Sequence, residues 1–337
     1  MLKYVLDHHR NGATMNYIVL DLEWNQCPNG KEKENKKIPF EIIEIGAVKL
    51  DQNLNVIDTF SELIRPQVYR SLHYKIREIS KITMDDLKEC RNFKDVVNDF
   101  LDWCGEDVTF CTWGALDLTE LQRNIQYYKI KRQMPFPFIY LDIQKLFSID
   151  QEDGKIRRSL SLAVEYLQIE EEEPFHRAVN DAMYTCKVMR MIQFESVKRF
   201  YSIDCYYVPR NKKDEIYVKF DHYSKYISRK FSSKESAIAD EEVSKIPCFF
   251  CDQSLPEVLP WFSDNSKTYY AIGYCDKHGY MQSRIRMKKT ANGLNYVIKI
   301  TKPTTKEGSQ QILARQDAIR EKRRERRLRQ AEEEKES

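Results

Sequence analysis

Apolar and polar positions alternate with two different periods over the first two hundred residues. The apolar run Tyr17–Leu22 predicts a central strand. Two strand-like runs, Glu41–Leu50 and Val56–Ile64, are joined by a polar turn at Asp51–Asn55 and predict a hairpin. From about Ser71 to Trp103 the apolar spacing becomes helical. This stretch therefore begins with strands and continues with helices.

The next hundred residues interleave strands and helices. Their order predicts a mixed sheet with helices on both sides, which is an α/β fold. The predicted elements are the strand Val108–Cys111, the helix Leu116–Tyr128, the strand Phe138–Leu141, and the helices Leu160–Leu167 and Arg177–Phe194.

The pattern changes after Glu195. Phe200–Phe231 is rich in tyrosine and lysine and predicts short strands, and Gln310–Gln330 is helical in period and dense in arginine. We expect a connector before a small β-rich domain, and a tail that is helical or disordered. The predicted divisions are an N-terminal extension at 1–14, a first domain at 15–198, a connector at 199–245, a small domain at 246–305 and a tail at 306–337.

Composition places the chain among globular proteins. It has 337 residues, of which 42% are hydrophobic and 32% charged, and no apolar run reaches the length of a membrane span. The first residues lack the basic region and apolar core of a signal peptide. We therefore expect a cytoplasmic protein with no membrane partner.

Charge is divided unevenly between the two halves. Residues 15–195 carry a net charge of −7, whereas residues 196–337 carry +9. A basic region attracts a polyanion such as nucleic acid. Compositional drift is the alternative interpretation, but the basic residues cluster.

Acidic residues follow the central strand in a spacing that suggests a metal site. Asp21 and Glu23 flank Leu22, so on a strand the two carboxylates share one face while Leu22 points into the core. Adjacent acids repel each other, and a divalent cation would offset that repulsion. Asp117 begins a helix after a short strand, and His176 and Asp181 lie five residues apart at the head of another helix.

These five residues resemble the motifs of the DEDDh family of 3′–5′ exonucleases, which have an RNase H-like fold. Asp21 and Glu23 match the first motif, Asp117 the second, and His176 with Asp181 the third. The segments IPFEIIEIGAVKLD, LIRP and SLAVEYLQI look like the branch that contains the Eri-type RNA exonucleases and the bacterial predicted KinA-pathway inhibitors. The resemblance covers about residues 15–195.

The resemblance implies release of nucleoside 5′-monophosphates with two Mg²⁺ or Mn²⁺ ions. Asp21 would bridge both ions, Glu23 and Asp181 would hold the ion on the nucleophile side, and Asp117 would hold the other. His176 would be the general base. The partner would be nucleic acid with a free 3′ end, either RNA or single-stranded DNA. Two alternatives are a DNA proofreading or repair exonuclease and a nucleic-acid-binding regulator with an inactive exonuclease fold.

Three further residues are candidates for substrate binding. Leu22 and Trp24 flank the acids and could wedge or stack against the terminal base. Trp24 could equally be a core aromatic. Arg177 could meet a phosphate or face solvent.

The rear half contains a second metal-binding pattern. Cys248 and Cys251 form one pair and Cys275 and His278 form another, and each pair has two intervening residues. This set matches one structural Zn²⁺ and resembles a zinc ribbon. The other cysteines are expected to be reduced thiols. The strand Tyr280–Lys289 and the arginine-rich tail could contact nucleic acid, although a solvated surface or a protein partner would also explain them.

Overall fold

In the first two hundred residues, strands and helices follow one another in the predicted order. The rest of the chain differs in part from the prediction. A computed structural model describes residues 2–5, 15–132, 134–152, 154–204, 206–290 and 292–336, with the backbone only for 2–5 and 331–336. The strands are β1 (Leu2–Val5), β2 (Asn16–Gln26), β3 (Phe40–Leu50), β4 (Val56–Leu63), β5 (Val108–Thr112), β6 (Phe138–Asp142), β7 (Ser202–Asp204), β8 (Ile216–Lys219), β9 (Ser224–Ile227), β10 (Glu257–Asn265), β11 (Thr268–Cys275), β12 (Gly279–Lys289) and β13 (Asn295–Pro303). The helices are α1 (Tyr74–Ser80), α2 (Met84–Lys88), α3 (Phe93–Cys104), α4 (Leu116–Tyr127), α5 (Ile143–Gln151), α6 (Leu160–Tyr166), α7 (Ala178–Met191), α8 (Phe194–Val197), α9 (Lys234–Ile238), α10 (Glu241–Ser244) and α11 (Lys306–Glu336).

A six-stranded mixed sheet forms the centre of the first unit, His9–Tyr207. Its strand order is β4-β3-β2-β5-β6-β7; β2, β5 and β6 run parallel, and β3, β4 and β7 are antiparallel to their neighbours. The predicted α/β class and the hairpin of β3 and β4 are confirmed. The strand β2 is central, and its alternate side chains enter two cores on opposite faces of the sheet.

One glycine allows the helix α7 to approach this sheet closely. A Cβ atom at Gly46 would lie 2.1 Å from the backbone nitrogen of Val179 and 2.7 Å from the Cβ of Ala178. Any larger residue would push the head of α7 away from β3. Gly46 pairs with Asp21 across the sheet, so this close approach lies beside the predicted metal ligands.

The first unit extends further than the predicted boundary at residue 198. The strand β7 pairs with β6 through Phe138 and Asp204, and Tyr206 donates a hydrogen bond to Gln126 on α4. The segment that includes β7 therefore completes the sheet edge of this unit. The sequence did not indicate the pairing, because β7 has only three residues and follows a helix without an apolar run.

The second unit is built around a seven-stranded sheet and comprises Met1–His8 and Val208–Ser337. Its strand order is β1-β8-β9-β13-β12-β11-β10. The strands β8 and β9 come from the segment 199–245, and most of this predicted connector belongs to the second unit. Lys299 on β13 is buried and donates hydrogen bonds to the carbonyl oxygens of Glu242, Val243 and Lys245, which attaches the end of α10 to the sheet.

The N-terminal segment also differs from the prediction of a separate extension. Leu2–Val5 forms β1, which pairs parallel to β8 at the edge of this second sheet. Residues 6–14 lie outside the described part of the chain. Within the described part, no helix is both long and apolar enough to cross a membrane.

The arginine-rich tail forms a single helix, α11, whose first half packs on the second sheet. Ile312, Gln316, Ile319 and Arg323 follow one face of the helix, and Gln316 is buried. Arg315 makes a two-pronged ion pair with Asp264 on β10, with both N–O distances at 2.8 Å. The sequence predicts that the tail is helical or disordered, and the structure has the helix. Polar contacts attach it to the sheet, because its apolar stripe is weak.

Candidate active site

The strand β2 presents the first two acids. Leu22 is 3% exposed, whereas Asp21 and Glu23 on either side of it are partly exposed on the other face. The pairing with β3 shifts register between Glu23 and Trp24, which marks a bulge directly after the second acid. The alternation expected from the sequence is therefore present, and both carboxylates lie on one face.

Two helices supply the other carboxylates. Asp117 lies in the first turn of α4, which follows β5, the parallel neighbour of β2. Asp181 lies in the first turn of α7, the helix that Gly46 admits to the sheet. Both side chains are buried. Elements that are distant in sequence thus bring their acids to the same region beside β2.

His176 lies in the segment that precedes α7; the residue is largely exposed, and its imidazole is partly desolvated. Its backbone has a φ of 68°, in the left-handed region that non-glycine residues seldom adopt. The backbone N–H of His176 donates to the Asp181 carboxylate, with N–O distances of 3.2 and 3.3 Å. One ligand atom from each of Glu23, His176 and Asp181 lies within 4.8 Å of the others. Asp181 therefore both faces this cluster and stabilises the turn that carries the histidine.

The electrostatics of the four acids are unfavourable without a cation. Burial, followed by the charges of Asp117 and Asp181, raises the pKa of Asp21 well above its usual value. Burial and the charges of neighbouring acids raise the pKa of Glu23 to about 8. The pKa of Asp117 is raised to about 7 and that of Asp181 to about 6, mainly by burial. Oxygen ligands in such a cluster fit Mg²⁺ or Mn²⁺, because the cation would compensate the buried negative charge.

A further acid, Glu44, positions the head of α7. It is fully buried on β3, directly opposite Glu23, and accepts hydrogen bonds from the Arg177 guanidinium at 2.9 and 3.1 Å. It also accepts one from the backbone nitrogen of Ala178. Sequence reasoning missed this residue, although an acid inside the apolar run of β3 was a visible signal. Glu44 ties β3 to the segment between His176 and Asp181.

The three predicted substrate-binding residues have other contacts. The Arg177 guanidinium is engaged by Glu44 and is partly exposed. Trp24 is half-buried, packs against the core, and lies 5.7 Å from Phe40 between ring centroids. Leu22 is buried in the same core, so its side chain does not fit the predicted contact with a substrate base. This packing favours the interpretation that Trp24 is a core aromatic residue.

The second predicted metal site is in the other unit. Ligand atoms of Cys248, Cys251, Cys275 and His278 all lie within 4.8 Å of one another. The His278 Nδ1 atom is 3.4 Å from the Cys248 sulfur and 3.5 Å from the Cys275 sulfur, and the sulfurs of Cys251 and Cys275 are 3.9 Å apart. Tetrahedral zinc requires about 3.8 Å between two sulfurs and about 3.6 Å between sulfur and nitrogen, given bond lengths of about 2.3 and 2.0 Å. The cluster fits zinc.

Local backbone geometry supports this cluster. Gly279, directly after His278, has a φ of 75°, and Asp252, directly after Cys251, has a φ of 58°. Both residues thus adopt the left-handed backbone conformation typical of a metal knuckle, and Asp252 does so although it is not a glycine. Burial opposes ionisation of Cys275, but hydrogen bonds from Lys277 and His278 lower the pKa of its thiol to about 7. A thiolate is the form that binds zinc.

The mixed sheet, the Asp21–Glu23 pair, Asp117 on the following helix and the His176–Asp181 spacing together define a DEDDh-type nuclease. Residues 18–189, about half of the chain, match the family model described as Exonuclease, RNase T. The chain therefore belongs to this exonuclease family. As a member of it, the protein is an enzyme of the 3′–5′ exonuclease class, and its first unit has the RNase H-like fold.

Known proteins similar to this chain include two bacterial relatives. The probable 3′–5′ exonuclease KapD of Bacillus subtilis is 27% identical over 188 residues, which cover 54% of this chain and 86% of KapD. The PolC-type DNA polymerase III of Clostridium perfringens is 27% identical over 201 residues, 58% of this chain but only 12% of the polymerase. Among solved structures, the nuclease domain of 3′hExo, a DEDDh family member bound to rAMP, is 20% identical with a TM-score of 0.47. That match covers 58% of this chain and 98% of the domain.

Proposed function

We propose that this protein removes nucleotides from the 3′ end of RNA as 5′-monophosphates, with His176 as general base. The observation that carries the proposal is the convergence of Glu23, His176 and Asp181 within 4.8 Å, beside the partly exposed Asp21 and the buried Asp117. A proton acceptor and a set of cation ligands thus lie together. A regulator that had lost catalysis would have no need to retain both.

The four carboxylates Asp21, Glu23, Asp117 and Asp181 would hold two Mg²⁺ or Mn²⁺ ions. Bound there, divalent ions supply a charge that stabilises the phosphoryl oxygens and lower the pKa of water. Glu44 and Gly46 contribute by fixing the distance between β3 and the head of α7. The chain itself therefore sets the positions of the ligands before any ion binds.

His176 accepts the proton of the attacking water. Burial lowers the pKa of its imidazole, so the ring is neutral near pH 7 and has a free electron pair for that proton. The water oxygen forms the new bond to phosphorus, and the leaving 3′ oxygen keeps the electron pair of the broken bond. The hydrogen bond from the His176 backbone to Asp181 orients the turn that carries the ring.

RNA is the substrate that we favour. The segments that look like the Eri-type branch and the arginine-rich helix α11 support it, because flexible single strands suit a basic helix. The alternative is DNA, which the similarity to a PolC-type DNA polymerase favours. We further propose one structural Zn²⁺ at Cys248, Cys251, Cys275 and His278. We also propose a reducing compartment, the cytoplasm, since the described cysteines form no disulfide.

The activity is tested with an oligonucleotide that carries a label on its 3′-terminal nucleotide. With Mg²⁺ or Mn²⁺ the wild-type protein should release labelled 5′-monophosphate, and Asp21→Ala should release none, because a proposed ligand of the cations is lost. His176→Asn should lower kcat by about 10²- to 10⁴-fold, the usual contribution of a general base, yet still bind Mn²⁺. Asparagine suits the left-handed backbone at this position.

The two variants separate a catalytic from a structural role. Thermal unfolding of His176→Asn should match that of the wild type, so the loss of rate would not reflect misfolding. Equal release of label by the wild type and by Asp21→Ala would refute the proposed site.

Substrate preference is tested with matched RNA and DNA 15-mers in direct competition. We expect RNA to be degraded with about tenfold higher kcat/KM, which is the contribution of one additional hydrogen bond to a 2′-hydroxyl. A preference for the DNA strand would overturn the choice of substrate while leaving the exonuclease mechanism intact.

The zinc proposal is tested by metal content. The purified protein should contain about one zinc per chain, and replacing Cys248 and Cys251 together with serine should remove it and unfold the second unit, because structural zinc contributes to folding. Cys90→Ser is the matched control, since Cys90 is a thiol outside the cluster. Zinc content that survives the double replacement would contradict the assignment.

A further inference from the structure

A groove runs between the edge strand β10 and the helix α11 of the second unit. It encloses about 370 Å³ and is lined by Trp261, Phe262 and Ser263 on the strand and by Ile319, Arg320 and Arg323 on the helix. This volume falls within the range of sites that hold a small organic molecule, about 300–1,000 Å³. One wall is aromatic, and the other carries guanidinium groups.

The aromatic wall is held rigidly. The indole nitrogen of Trp261 donates a hydrogen bond to the carbonyl of Ser244 at 2.6 Å, and Phe262 lies 6.1 Å from Tyr270 between ring centroids. Arg323 donates to the carbonyl of Ser263 at 2.7 Å and so joins the helix to the strand. The groove is therefore built by fixed contacts.

The helix continues past the groove with its basic residues exposed. Arg327 lies four residues after Arg323 on the same helix face, and residues 320–330 are all exposed. A guanidinium nitrogen of the exposed Arg320 lies 3.7 Å from a carboxylate oxygen of Asp317. Arg324 lies four residues after Arg320 on the helix. Arginines on this side thus extend from the groove along α11.

We propose that this groove and Arg320, Arg324 and Arg327 bind the single-stranded part of a nucleic acid. A base would stack on Phe262, and the arginines would contact successive phosphates, as in other single-strand sites. Charge complementarity favours this occupant, because residues 320–330 carry seven basic and two acidic side chains. That the ligand is the nucleic-acid substrate rests on the proposed function. The inference assigns part of the substrate's binding energy to a surface outside the acid cluster.

The test compares two pairs of substitutions on one helix. Arg320→Ala with Arg327→Ala alters the groove side, and Lys322→Ala with Arg329→Ala, also seven residues apart, removes the same charge from the opposite flank of α11, here called the far side. Affinity of the full chain for a labelled single-stranded 15-mer is measured over a range of salt concentrations, without added Mg²⁺ or Mn²⁺ and without a chelator, so that hydrolysis does not interfere and the structural zinc stays bound. The groove pair should lose at least about tenfold in affinity and lower the salt slope by about 1.4, or 0.7 for each phosphate contact.

The far-side pair should keep both affinity and slope close to those of the wild type. Phe262→Leu, which retains the apolar volume but loses the aromatic ring, should weaken binding while leaving the salt slope unchanged. Equal losses in the two pairs of basic residues would refute the groove in favour of diffuse attraction, and unchanged affinity in both would indicate another occupant, such as a protein. Because binding is read without hydrolysis, an inactive wild-type protein would count against the proposed function and leave this result valid.

Discussion

Mutual repulsion among four neighbouring carboxylates, two of them buried and two partly exposed, is the constraint on which the first unit depends. Asp21, Glu23, Asp117 and Asp181 come from one strand and two helices, and burial together with neighbouring charge raises the pKa of each. Close packing must hold these groups together against that repulsion. The contact of α7 with Gly46 and the hydrogen bonds of Glu44 to Arg177 and Ala178 provide it. Function and local instability thus arise from the same residues.

The acid cluster could be predicted because its members carry local signals. A pair of acids after an apolar strand, and a histidine five residues before an acid at a helix start, are visible without knowledge of the packing. Glu44 is visible in the sequence as an acid inside an apolar run, but its role and that of Gly46 depend on the close approach of α7 to β3, which no local pattern encodes. The burial of Leu22, by contrast, follows from the alternation along β2, which is a local pattern.

The second unit shows the limit of prediction more clearly. The cysteine and histidine spacing identified a cluster that the structure brings together, because knuckle geometry is local. The sheet around it combines β1 from the start of the chain with strands from a predicted connector, and such long-range pairing leaves little trace in short strands. Lys299, buried against three carbonyl oxygens, explains why this segment belongs to the sheet.

The central claim is that divalent cations compensate the negative charge of the acid cluster, whose repulsion and burial raise the pKa values of its carboxyl groups. Without ions, Glu23 and Asp117 remain partly protonated at pH 6.5, because their pKa values are about 8 and about 7. Mn²⁺ binding must then displace protons. Calorimetric titration with Mn²⁺ at pH 6.5, in two buffers of different ionisation enthalpy, measures this release directly. The account predicts release of about one proton or more at pH 6.5 and a smaller release at pH 8, where more of the carboxyl groups are already ionised. Binding without proton release at pH 6.5 would contradict it.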